Sequence, residues 1–207
     1  KFVLNYVVAD INELRAQHDA VLIATGVYQA RQLTVPGAGL DGVVPALDYL
    51  TTSNRKGLGD DVPAFDDGTM NAQGKHVVVI GGGDTAMDCV RTAIRQDAKS
   101  VKCLYRRDRE NMPGSQNEVR NAEDEGVEFI WLSSPLAFDG DKKNNVKKVM
   151  AQHMELGAAD RDGRHMPRPI DGAQFNLKAD MVIQALGFEA EDLPQMFGVP
   201  ELQVSSW

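Results

Sequence analysis

The apolar pattern is clearest in the middle of the chain. Residues 76–80, His-Val-Val-Val-Ile, form a continuous run typical of a strand buried on both faces of a parallel sheet. Glycines end this run, and residues 84–96 then show helical spacing of apolar positions. Residues 100–105 and 127–131 predict two more strands, with a polar helix over residues 114–125 between them. This β–α–β–α–β order predicts a doubly wound, Rossmann-like α/β fold around a parallel sheet.

The pattern before this segment is weaker. It predicts strands over residues 1–8 and 19–26, and Asp10 is a candidate N-cap for a short helix between them. A loop punctuated by glycine and proline leads to a short helix over residues 45–52. Residues 54–73 are rich in Gly and Asp with little periodicity, so we interpret them as a linker and a domain boundary.

After Pro135 the pattern indicates antiparallel structure. Residues 146–156 and 174–177 predict strands of a β-meander. The polar, turn-rich residues 157–172 between them predict a mobile hairpin loop. Residues 180–187 predict a last apolar strand, which ends in glycine as the second N-terminal strand does.

Composition and charge are those of an ordinary soluble globular protein, with 43% hydrophobic and 25% charged residues. The net charge of -8 argues against general nucleic-acid binding, because phosphate backbones require a cationic surface. No apolar run approaches the roughly 20 residues of a membrane span, and there is no signal peptide. We therefore expect a cytoplasmic protein with neither a nucleic-acid nor a membrane partner.

The cysteines and histidines predict no metal centre. Cys89 and Cys103 are too few for a disulfide framework or for an iron–sulfur cluster held by this chain alone. Both are interpreted as small buried residues. The four histidines are scattered and show no metal-ligand spacing.

The glycine run predicts a nucleotide-binding turn, Gly81-Gly82-Gly83-Asp84-Thr85-Ala86. In the pattern Gly81-x-Gly83-x-x-Ala86, the first glycine permits a tight strand-to-helix turn and the second leaves room for phosphates. The small alanine lets the helix pack close to the strand. The preceding strand and following helix supply the context that this motif needs. The alternative is a glycine-rich turn without function.

Arg106 and Arg107 follow the second predicted strand and indicate which dinucleotide is bound. An NAD site carries an acidic residue near this position, whereas arginine suits the 2′-phosphate of NADP(H). Arg106 lies roughly 20 residues beyond the glycines, as the geometry of a βαβ unit requires. The alternative is a solvated basic turn, since Asp108 and Arg109 are also nearby.

A third candidate is the strand end Ala24-Thr25-Gly26, with its counterpart Ala185-Leu186-Gly187. A glycine at a strand end allows a ligand to approach the backbone closely. Taken alone, each is more simply an ordinary strand terminus.

Several of these motifs together closely resemble the NADPH domain of the glutamate synthase small (beta) subunit family. They are residues 77–89, residues 104–107, Met112-Pro113 and Glu118. The wider family includes part of dihydropyrimidine dehydrogenase and, more distantly, adrenodoxin reductase. The resemblance covers essentially the whole chain, and the Ala-Thr-Gly and Ala-Leu-Gly elements resemble the crossovers between the FAD and NADPH domains.

The resemblance implies an NADPH-dependent oxidoreductase whose reactive atoms belong to its cofactors. In the full-length protein, hydride would pass from NADPH to FAD. Electrons would continue through 4Fe-4S clusters to a large (alpha) subunit that makes glutamate from glutamine and 2-oxoglutarate. No catalytic side chain is expected.

The resemblance also implies a role for each candidate residue. Gly83, Asp84, Thr85 and Ala86 would lie at the pyrophosphate, and Arg106 and Arg107 at the 2′-phosphate. Glu118 would make a polar contact to the cofactor. Ala185, Leu186 and Gly187 would lie near the nicotinamide, and Thr25 and Gly26 at the other crossover.

On this basis residues 1–73 are interpreted as a partial FAD-domain remnant and linker. Residues 74–187 would be the NADPH-binding domain, and residues 188–207 the start of the return segment to the FAD domain. The family's FAD fingerprint, cysteine-rich segment and C-terminal FAD motif are absent from this sequence. We therefore expect a piece of a longer polypeptide that binds NADPH, does not hold FAD and is inactive alone.

Two alternatives stay open at this point. The chain could serve another electron acceptor, as in dihydropyrimidine dehydrogenase or a ferredoxin reductase. It could also act, as a fragment, as a nucleotide-binding module without catalysis.

Overall fold

The computed structural model describes residues 1–159 and 165–204. These residues form two compact units. The larger unit spans Ala30–Gly187, and the smaller contains Lys1–Gln29 together with the described residues from Phe188 onward. In chain order the helices and strands are α1 (Ile11–Gln17), β1 (Gln29–Ala30), β2 (Val43–Pro45), α2 (Ala46–Gly57), α3 (Pro63–Asp66), β3 (His76–Ile80), α4 (Asp84–Arg95), β4 (Ser100–Leu104), α5 (Gln116–Asp124), β5 (Glu128–Ile130), β6 (Ser133–Gly140), β7 (Val146–Ala159), β8 (His165–Lys178), β9 (Met181–Gln184), β10 (Phe188–Glu189) and α6 (Leu193–Met196).

A five-stranded parallel sheet forms the centre of the larger unit, in the order β2-β9-β3-β4-β5. This confirms the predicted α/β fold and all four of the apolar strands predicted between residues 76 and 187. The edge strand β2 was not predicted, because three residues that end in proline are too short for a periodic signal.

The central strand β3 has a core on each face. Val77 and Val79 pack into one apolar cluster, and Val78 and Ile80 into another. All four side chains are at most 4% exposed. This two-sided burial is the reason for the unbroken β-branched run, since alternate residues of a strand point to opposite faces.

Helices α2, α4 and α5 contribute to the first cluster, and Gln96 at the end of α4 ties α2 to them. Its Oε1 accepts hydrogen bonds from the Tyr49 hydroxyl at 2.9 Å and from the Ala72 amide at 2.8 Å. The predicted helix over 45–52 corresponds to α2, which begins at Ala46 and continues to Gly57.

The sequence pattern favoured a linker over residues 54–73, but the structure shows helices and buried residues there. They contain the end of α2 and the short helix α3, and Ala72 is fully buried. The compact unit around the parallel sheet accordingly begins at Ala30.

The second core cluster lies under the antiparallel sheet β6-β7-β8, which confirms the predicted meander. The prediction of a loop over residues 157–172 is wrong for most of that range, because β7 runs to Ala159 and β8 begins at His165. Much of this hairpin is exposed on both faces, so its polar sequence resembled a loop. Residues 160–164 lie outside the described residues.

The smaller unit contains less regular structure than expected. Asp10 does cap α1, because its Oδ1 accepts the Asn12 amide at 2.8 Å. The strands predicted over residues 1–8 and 19–26 are absent, and Phe2 and Leu22 are 95% and 89% exposed. A strand needs a neighbour to satisfy its backbone, and neither segment pairs with one in the described chain.

No described helix has both the length and the apolar character that crossing a membrane requires.

Candidate nucleotide-binding site

The turn from β3 into α4 is formed by three glycines with different surroundings. Gly81 has a φ of +146°, and a Cβ added there would lie 2.1 Å from the Ala185 carbonyl oxygen. A Cβ on Gly82 would lie 2.4 Å from the Tyr105 ring, whereas one on Gly83 would meet nothing within 4 Å. Packing therefore requires the first two glycines, and the third leaves open space in front of the helix.

Helix α4 begins immediately after this open position. Gly83 is its N-cap in extended conformation and supplies no side chain to the first-turn amides. Such amides, together with the helix dipole, favour an anion. Ala86 is fully buried, as its predicted role in close helix–strand packing requires.

A cavity of about 500 Å³ opens at the carboxyl ends of β3, β4 and β9. The chain leaves β3 toward β4, while β9 lies on the other side of β3, so this is the point at which the strand order reverses. Open α/β sheets bind ligands at such a point. The predicted residues that line the cavity are Gly81, Gly82, Gly83, Thr85, Arg106, Arg107, Ala185, Leu186 and Gly187.

The arginine pair lies at the β4 end of the cavity. Arg106 is exposed, and Arg107 is half-buried and donates from its Nε to the His165 carbonyl at 3.1 Å. Arg109 does not line the cavity, because its guanidinium binds Glu123 on α5 at 2.9 Å. Of the three neighbouring arginines, the two predicted ones therefore face the cavity.

The β9 end of the cavity is formed by Ala185-Leu186-Gly187 and by a segment, Arg31–Leu33, that the sequence analysis missed. The Arg31 amide donates to the Gly187 carbonyl at 3.0 Å, and the Leu33 amide donates to the Gln184 Oε1 at 3.0 Å. These bonds join residues about 150 positions apart, and no local pattern indicates such a contact. The other lining residues that were missed are Ile80, Leu104, Tyr105, Pro113 and Ser133–Pro135.

Five predicted residues do not line this cavity. Asp84 and Ala86 flank a lining residue, and Glu118 on α5 instead forms an ion pair with Arg91 on α4. Thr25 and Gly26 are exposed residues of the smaller unit.

Both cysteines are buried, as expected. Burial raises the pKa of Cys103 to about 12, and it also raises the pKa of Cys89. Both thiols therefore stay protonated near neutral pH, which disfavours metal binding and nucleophilic chemistry. Among the described residues, no group of three His, Cys, Asp or Glu side chains is placed to hold a metal ion.

Comparison with known proteins identifies the family. Residues 2–201 match the family described as "Pyridine nucleotide-disulphide oxidoreductase". The chain is 62% identical over 199 residues to "Glutamate synthase [NADPH] small chain" from Azospirillum brasilense, which covers 96% of the chain and 41% of that protein. It is 61% identical over 211 residues to "Putative glutamate synthase [NADPH] small chain" from Cereibacter sphaeroides, over 100% of the chain and 50% of that protein.

A solved structure shares the fold at lower identity. Mycobacterium tuberculosis FprA, in complex with NADPH, superimposes with a TM-score of 0.71 at 20% identity, over 92% of the chain and 55% of FprA. The chain thus spans about half the length of the proteins it matches.

Proposed function

Since the chain belongs to the pyridine nucleotide-disulphide oxidoreductase family, we propose that its larger unit binds NADPH and presents it for hydride transfer to a flavin. The observation that carries the proposal is one cavity lined by the open glycine, the start of α4 and the arginine pair. A dinucleotide phosphate needs these three features together.

The cofactor's three parts correspond to three strand ends. The pyrophosphate would lie against Gly83 and Thr85 at the end of β3. The 2′-phosphate would lie at Arg106 and Arg107 after β4, because guanidinium groups bind phosphate oxygens in a charge-assisted, bidentate manner. The nicotinamide would lie toward Ala185–Gly187 after β9. When bound, the nicotinamide supplies the hydride, and the protein's own part is to bind and orient it.

The physiological reaction is proposed from the relatives. Two of them, more than 60% identical, are named as NADPH-dependent glutamate synthase small chains. We infer that the longer protein passes electrons from NADPH through FAD and 4Fe-4S clusters to a large subunit that makes glutamate. Thr25 and Gly26, in the smaller unit, would belong to the flavin side of that protein. The clusters would need ligands other than the two buried cysteines of this chain.

Replacing both Arg106 and Arg107 with alanine tests the NADPH assignment. We expect NADPH binding to weaken by about 2–4 kcal/mol, roughly 1–2 for each lost charge-assisted contact. NADH lacks the 2′-phosphate, so its affinity should barely change. Isothermal titration with both nucleotides measures the difference.

Arg120→Ala provides the control, because Arg120 is exposed on α5 and does not line the cavity. Its removal lowers the positive charge of the protein without touching the site. Equal loss of NADPH and NADH affinity in the double variant would overturn the assignment.

A further inference from the structure

Asp84 lies in the predicted phosphate-binding turn, yet its carboxylate does not line the cavity. Its neighbours Gly83 and Thr85 both do. A carboxylate directed at a bound pyrophosphate would repel it, since both groups are anionic. The side chain instead turns to another part of the chain, where its Oδ1 accepts the Ser115 amide at 3.0 Å.

The Asp84–Ser115 bond is one of two that join the glycine turn to the loop between β4 and α5. The second runs from the Gly114 amide to the Gly82 carbonyl, at 2.9 Å. The fit is close, because a Cβ on Gly114 would lie 3.0 Å from that same carbonyl oxygen. The end of the loop is therefore fastened to the start of α4.

The same loop carries Arg106 and Arg107 at its beginning and is braced internally. The Tyr105 hydroxyl donates to the Asn111 carbonyl at 3.1 Å, and Asp108 accepts the Asn111 amide at 2.9 Å. The hydrogen bond at Ser115 therefore restrains one end of the loop, and the bonds at Asn111 connect that end to the segment that carries the arginines. Fastening the loop holds the arginine pair at a fixed distance from the phosphate-binding turn.

We propose that Asp84 is a positioning residue that holds the loop of residues 106–115 closed, so that the 2′-phosphate site is preformed. The role rests on the proposed NADPH function and goes beyond it, since Asp84 acts through Ser115 and not on the nucleotide. The apparent affinity for NADPH is proportional to the fraction of molecules in which the loop is closed, so it falls when that fraction falls. NADH does not use the arginines, so its affinity does not depend on this closure.

Two substitutions separate hydrogen bonding from charge. Asp84→Asn keeps an oxygen acceptor for the Ser115 amide but removes the negative charge. Asp84→Ala removes both. Asp88→Ala is the matched control, because Asp88 is an exposed carboxylate one turn further along α4 that does not line the cavity.

Two measurements follow on the whole chain, after circular dichroism and thermal unfolding have shown that each variant is folded. The first is the Kd for NADPH and for NADH. We expect Asp84→Ala to weaken NADPH roughly tenfold and NADH less than about twofold. We expect Asp84→Asn and Asp88→Ala to keep the NADPH affinity of the parent chain within about twofold.

The second measurement is the rate of trypsin cleavage after Arg106 and Arg107, followed by mass spectrometry without nucleotide. An open loop is cut faster, so only Asp84→Ala should show a clear increase. The inference is overturned if Asp84→Asn behaves like Asp84→Ala, or if Asp84→Ala changes neither the cleavage rate nor the preference for NADPH.

The two readouts also separate this inference from the proposed function. If the parent chain binds NADPH and NADH equally well, the assignment of the arginines fails, and a specificity role for Asp84 fails with it. The cleavage rates then still decide whether Asp84 fastens the loop.

Discussion

Three consecutive glycines, residues 81–83, are glycine for three different reasons. At Gly81 the backbone of Ala185 fills the space of a side chain, and at Gly82 the Tyr105 ring does so. Gly83 has free space and a φ of -92°, which any residue can adopt. Packing therefore requires glycine at the first two positions but not at the third. At Gly83, the space that a bound ligand needs is the remaining reason for glycine.

Alanine substitutions at Gly81 and Gly83 should thus affect different properties, stability in the first case and nucleotide binding in the second. Gly81→Ala places a Cβ against a carbonyl oxygen in a strained backbone conformation, and we expect a loss of about 1–3 kcal/mol of unfolding free energy. Gly83→Ala should change stability by less than about 1 kcal/mol but weaken NADPH binding at least roughly tenfold, because the methyl group occupies the approach of the phosphates. Urea unfolding and nucleotide titration measure both quantities. Similar destabilisation by the two variants, or unchanged binding in Gly83→Ala, would contradict this division.

At the scale of elements, an ion-pair cluster joins α4 and α5. Arg91 donates from its Nε and Nη2 to Glu125 Oε1 at 2.9 and 2.7 Å, and its Nη1 pairs with Glu118. The hydrogen bonds from Arg91 lower the pKa of Glu125; burial opposes this, and the charge of Arg95 adds to it. The ionised carboxylate is therefore favoured by folding.

The sign of this pKa change predicts how stability depends on pH. A carboxylate whose pKa is lowered in the folded state stabilises fully above its unfolded pKa, near 4.3, and loses this contribution as the pH falls through the folded value. We expect Glu125→Gln to cost about 1 kcal/mol at pH 7 and progressively less below about pH 4. Denaturant unfolding across this range measures the difference. Glu128→Gln is the control, because Glu128 pairs with Lys102 but is 57% exposed and should cost close to nothing. A Glu125→Gln difference that does not vary with pH would contradict the assignment.

The same scale shows which elements the sequence can predict. Strand β3 was predictable because burial on both faces leaves an unbroken apolar run. The distal part of the β7–β8 hairpin was not, because its two exposed faces leave a polar sequence typical of a loop. The strand predicted over residues 19–26 failed for the converse reason, since an apolar run forms a strand only beside a pairing partner.

The residues of the candidate site also differ in how well the sequence predicts them. The glycine turn and the arginine pair were predictable, because the motif and its spacing are local in sequence. Arg31–Leu33 and Ser133–Pro135 reach the cavity only through the fold, so no local signal marks them. The cofactor contact of Glu118 was predicted only from a family resemblance. In the structure Glu118 forms an ion pair with Arg91, which is a structural role that requires no nucleotide. The Asp84–Ser115 bond joins two residues that sequence alone does not bring together.

At the scale of the whole molecule, both apolar clusters and every residue that lines the cavity lie between Ala30 and Gly187. In contrast, large apolar side chains of the first eight residues, such as Phe2 and Leu4, are exposed. The interactions that stabilise the larger unit are therefore contained within its own sequence.

A chain trimmed to residues 30–187 should consequently fold by itself and keep the nucleotide site. We expect a single cooperative unfolding transition and a Kd for NADPH within about threefold of the whole chain, because the trimmed residues contribute to neither core nor cavity lining. Circular dichroism during heating and isothermal titration test the two expectations separately. Combining the trimmed chain with Arg106→Ala and Arg107→Ala should remove the preference for NADPH over NADH, as we also expect in the whole chain. A trimmed chain that folds cooperatively but no longer binds NADPH would mean that the nucleotide site needs residues of the smaller unit.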